Sequence, residues 1–196
     1  MRWFALAAFV GCLGISAFYR WRARQQGETI ARRRESPLLI AGRAVIGLPL
    51  FVAILLYLLN PRWMAWAEFA LPSWGRWVGA VLGLVAVPAA LWVFTSIGRN
   101  VSETVLTKRD HALVTTGPYR WIRHPLYTTG AVLLLAIGLM AANWFILLFA
   151  LLAIVSLRLA VIPLEERELV NKFGDEYRRY MATTGGLLPR VWRESH

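Results

Sequence analysis

Residues 125–168 read PLYTTGAVLLLAIGLMAANWFILLFALLAIVSLRLAVIPLEERE. Two apolar blocks, Leu126 to Ala142 and Trp144 to Ile162, lie almost end to end with Asn143 between them, and Arg158 is the one charge inside either. At about 1.5 Å of rise per residue, each block crosses or nearly crosses a hydrocarbon layer of about 30 Å as a helix. A connection this short joins antiparallel neighbours, so the pair is expected to form a tight helical hairpin. Pro125 suits the first position of the first helix, with His124 just before it.

Three further apolar blocks precede the hairpin, from about Trp3 to Tyr19, Leu38 to Leu59 and Trp77 to Ile97. Of 196 residues, 58% are apolar and 17% charged, against about 25% charged in a typical soluble domain. These features predict an all-α integral membrane protein of five transmembrane helices, with cytoplasmic interfacial helices added. The first block ends in Tyr19, Arg20, Trp21 and Arg22 with no small-residue cleavage site after it, which predicts an anchor and not a signal peptide. Pro88 is expected to kink the third span. Polarity rises at about residue 98, dividing the chain into residues 1–97, three spans with a basic cytoplasmic loop, and residues 98–196, a core carrying the chemistry. Cys12 is the one cysteine, so neither a disulfide framework nor a cysteine-based zinc site arises.

The net charge of +11 is unevenly placed. Residues 20–36 hold six Lys and Arg, 98–125 hold five and 163–196 hold six, whereas 60–76 hold two. With five spans the three rich segments share one face, which the positive-inside rule assigns to the cytoplasm, leaving the N-terminus outside. Arg43 then snorkels to the cytoplasmic interface. Basic residues beside apolar spans meet anionic lipid, so the expected partner is the bilayer and not nucleic acid.

Reactive side chains concentrate on that cytoplasmic face. A helix starting at Pro125 offers unpaired backbone N–H groups and a positive dipole end to an anion, with Arg123 and His124 beside it. Helix capping and contact with lipid phosphate account equally for these two residues. On the last span, Arg158 and Glu165 are seven residues apart and return to nearly one α-helical face, while Glu166 is turned by about 100°. Arg158, about 7 Å inside the span, either snorkels or gives a polar foothold; Pro163, which cannot donate to the carbonyl of Leu159, favours a polar cavity there. The glutamates suit either a site or a solvated helix. From Glu165 to Tyr180 a short amphipathic helix broken at Gly174 presents Leu169, Phe173, Tyr177 and Tyr180 on one side, a pattern of interfacial packing. Neither a glycine-rich phosphate loop nor a histidine pair with metal spacing occurs, and no metal is expected.

Taken in order, Gly98-Arg99-Asn100, Lys108, His111, Leu113, Gly117-Pro118-Tyr119-Arg120, Arg123-His124-Pro125, Tyr127, Glu165-Glu166, Phe173-Gly174, Tyr177 and Tyr180 resemble the isoprenylcysteine carboxyl methyltransferase family, itself similar to phospholipid N-methyltransferases. The resemblance covers roughly Ile97 to Arg190. It implies a membrane enzyme binding S-adenosylmethionine through Tyr119, Arg123, His124, Pro125, Tyr127, Glu165 and Glu166, with Arg158 and Glu165 as catalytic residues. Methyl transfer from a sulfonium needs alignment more than a strong base, which suits the scarcity of acid–base residues. The implied acceptor is lipophilic, such as a prenylcysteine-like carboxylate or a lipid amine. Gly185 to Arg190 echo an ending seen in relatives, without adding chemistry. Two other classes stay open: an NADPH-dependent membrane reductase of sterol or isoprenoid double bonds, and a non-catalytic scaffold.

Overall fold

A computed structural model describes residues 1–25, 37–97 and 113–190. The Gly98-Arg99-Asn100, Lys108 and His111 elements and the boundary at residue 98 lie outside the described residues. Within them all regular structure is helical: α1 (Arg2–Gln25), α2 (Pro37–Leu59), α3 (Ser73–Ile97), α4 (Pro125–Ala141), α5 (Trp144–Ser156), α6 (Ile162–Phe173) and α7 (Asp175–Thr183). Extended pairing is limited to two isolated bridges, Glu68 with Asn143 and Ile122 with Gly185.

Among the described residues, four helices are long and apolar enough to cross a membrane: Arg2–Gln25, Ile40–Leu59, Ser73–Ile97 and the continuous run Trp144–Phe173. The fourth predicted span, Pro125–Ala141, is apolar but only 17 residues long. Pro49 and Pro88 both lie inside unbroken helices. From α1 to α5, successive helices run in opposite directions. Arg2 reaches the carbonyl of Leu59, pairing the start of α1 with the end of α2, and Phe4 meets Trp77 at the start of α3. At the other end Tyr19 stacks on Phe94, and Leu126 packs beside them.

The bundle is packed on small residues. Ala8, Ala53, Ala86, Ala136 and Ala150 are buried, while Trp74, Leu84 and Leu159 stand outward with about 70% of their surface exposed (68%, 72% and 70%). Lipid tails are as apolar as leucine, so membrane helices associate by close backbone approach. Gly79 on α3 shows this: a Cβ there would come 2.8 Å from the carbonyl of Ala136 and 2.9 Å from the nitrogen of Met140 on α4. Gly83, one turn on, faces Ala8, Ala136 and Met140. Gly79 and Gly83 thus form a groove in α3 that receives α4, and no larger residue fits at Gly79.

The hairpin forms as the spacing predicts. Ala142 takes a left-handed conformation (φ 47°) and ends α4. Asn143 then caps α5, accepting from the N–H of Ile146 at 3.0 Å while its amide donates to the carbonyl of Met64 at 2.9 Å. The turn therefore needs one buried, fully used asparagine.

One local expectation is corrected. Arg158 and Glu165 do not keep an α-helical spacing, because Leu157–Val161 form a π turn, with the N–H of Ile162 bonding to Leu157. Pro163 carries no N–H, and a ring at that position crowds the carbonyl four residues back, so the ladder is re-registered by one residue. Arg158 ends up exposed while Glu165 is partly covered.

Candidate active site

The hairpin sets the height of the site. From Asn143, His124 lies 19 residues back along α4 and Glu165 lies 22 residues forward, close to 30 Å in either direction at the α-helical rise. The two helices bring Arg123-His124-Pro125 and Glu165-Glu166 to one level. His124 is the N-cap of α4 with Pro125 behind it, and its side chain makes no capping bond, which leaves the ring available.

A bare helix start would leave N–H groups unsatisfied. Here the chain beyond α7 returns to supply acceptors: the N–H of Arg123 donates to Gly185 O at 2.8 Å and that of His124 to Gly186 O at 3.1 Å. Thr128 donates its hydroxyl to Leu187 O at 2.6 Å. Gly185 must lack a side chain, since a Cβ would meet the Leu188 carbonyl and lie 2.9 Å from the nitrogen of Arg190. Sequence reasoning attached no chemistry to Gly185-Gly186; the paired glycines were the available signal of a close backbone approach.

The carboxylate of Glu166 is the hub. Its Oε1 accepts from Arg123 Nε at 2.9 Å and lies 3.0 Å from His124 Nε2. Arg123 goes further, donating through Nη1 to the carbonyls of Met181, at 3.2 Å, and Thr184. One guanidinium therefore ties α4, α6 and the end of α7 together. Glu165 is turned to the other side of the imidazole, with Oε2 3.6 Å from Nδ1, beyond hydrogen-bond range. The hydroxyl of Tyr127 lies close to its carboxylate, and the Tyr127 ring stacks on His124 at 5.7 Å and 15°. Buried Oε2 of Glu165 has no hydrogen-bond partner.

Tyrosines close the cluster from α7 and from the 3₁₀ turn Gly117–Arg120. The Tyr180 hydroxyl donates to the carbonyl of Tyr119 at 2.5 Å. Burial pushes the Tyr180 phenol up to about 12, and pushes Tyr119 and Tyr177 higher still, with nearby Glu165 and Glu166 adding to the effect. These phenols stay protonated, and that of Tyr180 acts as a donor.

Of the residues singled out, Tyr119, Arg123, His124, Pro125, Tyr127, Glu165 and Glu166 come together. Arg158 stands apart, exposed on the π turn and making no hydrogen bond or ion pair with a described residue. The Trp121 and Trp92 ring centroids are 5.7 Å apart, and Gly117 sits against Ser96, so the 3₁₀ turn leans on the end of α3. Among the described residues no group of three His, Cys, Asp or Glu side chains is arranged to hold a metal ion.

A helical membrane bundle with one buried histidine between two carboxylates, at the end of a hairpin, defines the class. A family model for phospholipid methyltransferases matches residues 74–176, more than half of the 196-residue chain. The chain belongs to that family. Among curated relatives it is 31% identical over 121 residues to the cobalt-zinc-cadmium resistance protein CzcN of Cupriavidus metallidurans, covering 60% of this chain and 53% of that protein. It is 42% identical over 78 residues to methanethiol S-methyltransferase 1 of Bradyrhizobium diazoefficiens (39% and 25%). To the protein-S-isoprenylcysteine O-methyltransferase of Schizosaccharomyces pombe it is 32% identical over 96 residues (48% and 41%). The chain thus spans about half or less of these relatives' lengths. The fold is shared with a solved eukaryotic intramembrane Ras methyltransferase, an isoprenylcysteine carboxyl methyltransferase, at a TM-score of 0.56 and 20% identity, over 96% of this chain and 68% of that one. These findings bear out the resemblance read from the Arg-His-Pro and Glu-Glu motifs.

Proposed function

We propose that the chain is an integral membrane methyltransferase that binds S-adenosylmethionine at the His124, Glu165 and Glu166 end of the bundle and acts on a lipophilic acceptor. The observation that carries this reading is the buried Oε2 of Glu165, an acceptor without a hydrogen-bond partner beside His124, the N-cap of α4. A zwitterionic ligand fits that pair. Its ammonium or sulfonium meets Glu165, and its carboxylate meets the N–H groups of Leu126 and Tyr127 beside His124. The relatives named as O- and S-methyltransferases support the same class.

When bound, S-adenosylmethionine supplies an electrophilic methyl group on a sulfonium. The protein's part is alignment. Glu166 holds His124 in one orientation, Arg123 braces Glu166 against α7, and the Tyr127 ring stacks on His124 beside Glu165. Tyr119, held by Tyr180, lines the approach from the 3₁₀ turn. Arg158, exposed on the lipid-facing side of the last long helix, orients the polar head of the acceptor, which enters from the bilayer.

The proposed membrane arrangement has five spans, with α4 crossing as the short arm of the hairpin and α6 and α7 lying at the interface. Both the site and the C-terminus then face the cytoplasm with the basic segments, and the N-terminus lies outside. The deciding experiment measures thermal unfolding of the detergent-solubilised chain. S-adenosylhomocysteine should raise the midpoint and NADPH should not. Stabilisation by NADPH alone would make the protein a reductase, and stabilisation by neither would make it a scaffold.

A further inference from the structure

Glu165 Oε2 is not the only buried polar atom left without a partner. Among the side chains of the described residues, the hydroxyl of Tyr177 is the other, on a residue with 1% of its surface exposed. The stripe of Leu169, Phe173, Tyr177 and Tyr180 reads from sequence as interfacial packing, and packing alone would be served better by phenylalanine, because a buried hydroxyl without a partner is destabilising.

The geometry of α7 says where this hydroxyl points. Tyr180 donates to the carbonyl of Tyr119, and the carbonyls of Met181 and Thr184 receive Arg123. The face of α7 turned to the start of α4 therefore includes Tyr180, Met181 and Thr184. Tyr177, four residues before Met181, lies one turn earlier on that face. Its hydroxyl is within electrostatic reach of Glu166, Arg123 and Glu165. Buried as it is, the phenol keeps its proton and can only usefully donate.

We propose that Tyr177 is a ligand-contact residue, donating its hydroxyl hydrogen to the carboxylate of a bound α-amino acid group whose ammonium is taken by Oε2 of Glu165. This rests on the cofactor reading above and assigns a further contact to the aminocarboxylate end of that cofactor. Donor and acceptor stand in the same small site without partners of their own, and a zwitterion offers one group for each. An uncharged ribose hydroxyl would also accept from Tyr177. The guanidinium of Arg123 nearby favours an anion.

The test uses the full chain in detergent, as wild type and as Tyr177→Phe, titrated by calorimetry with S-adenosylhomocysteine and with 5′-methylthioadenosine, which lacks the aminocarboxylate. The variant should lose about tenfold in affinity for S-adenosylhomocysteine, the scale of a hydrogen bond to a charged group. It should lose nothing for 5′-methylthioadenosine, and its ligand-free unfolding midpoint should be unchanged or higher. Unchanged affinity for S-adenosylhomocysteine, or equal losses for both compounds, would overturn the assignment. If the wild-type chain itself does not bind S-adenosylhomocysteine, the cofactor reading fails, and that result is separate from any effect of the variant.

Discussion

His124 Nε2 and Glu166 Oε1 lie 3.0 Å apart across 42 residues of sequence, and the same oxygen accepts from Arg123 Nε at 2.9 Å. One carboxylate thereby sets the orientation of both members of the Arg-His-Pro motif. With that carboxylate ionised, Nε2 carries the ring proton and Nδ1 faces Glu165.

The two glutamates should separate by experiment. Glu166→Gln removes a charge shared by Arg123 and His124, so it should lower the unfolding midpoint and weaken S-adenosylhomocysteine binding by about 1.5 to 3 kcal/mol. Glu165→Gln keeps an oxygen close to the Tyr127 hydroxyl but deletes a partly covered charge without a cation in bonding range. Its midpoint should hold or rise while affinity falls. Calorimetry and thermal unfolding on both variants check this, and equal behaviour would mean the carboxylates are not divided between bracing and binding.

Gly79 faces the backbone of the neighbouring helix, where a Cβ would come 2.8 Å from Ala136 O and 2.9 Å from Met140 N. Gly79→Ala should destabilise the protein by about 1 to 3 kcal/mol, the range for overpacking. Gly14→Ala, where a Cβ meets nothing within 4 Å, should be nearly silent. Denaturation of the two variants in one detergent supplies the comparison.

Arg158 stands at an exposed π turn with no partner among the described residues. If it orients the acceptor, Arg158→Ala should lower turnover or raise the apparent Michaelis constant for a lipophilic acceptor with S-adenosylhomocysteine affinity intact. Near-normal kinetics for both Arg158→Lys and Arg158→Ala would reduce it to a snorkelling cation.

Reporter fusions at Glu28, Glu68, Asp110 and Arg190 should read inside, outside, inside and inside. A cytoplasmic signal at Glu68 would break the five-span arrangement, because α2 and α3 would no longer be joined outside the cell.

Sequence alone determined what depends on composition and on near neighbours. Apolar runs need no tertiary information to declare themselves membrane helices, and the two-residue joint at Ala142 and Asn143 leaves the chain little choice but to reverse. Ordered motifs named the family and gathered most of the site, since His124, Pro125, Glu165 and Glu166 sit at helix ends whose positions follow from hairpin length. Gly79 and Gly83 stood one helical turn apart in the sequence, yet which helix fills their groove is a property of packing, and only the bundle shows α4 there.

Only the tertiary structure decided the rest. Pro163 announces a local irregularity, but that it becomes a π turn turning Arg158 outward depends on how the whole ladder relaxes. The acceptors for the N–H groups of Arg123 and His124 come from Gly185 and Gly186, about 60 residues away, through backbone atoms that every residue carries. Side-chain chemistry leaves a signature in sequence. Backbone carbonyls do not, so the strap that holds the histidine motif in place becomes visible only when the chain is folded.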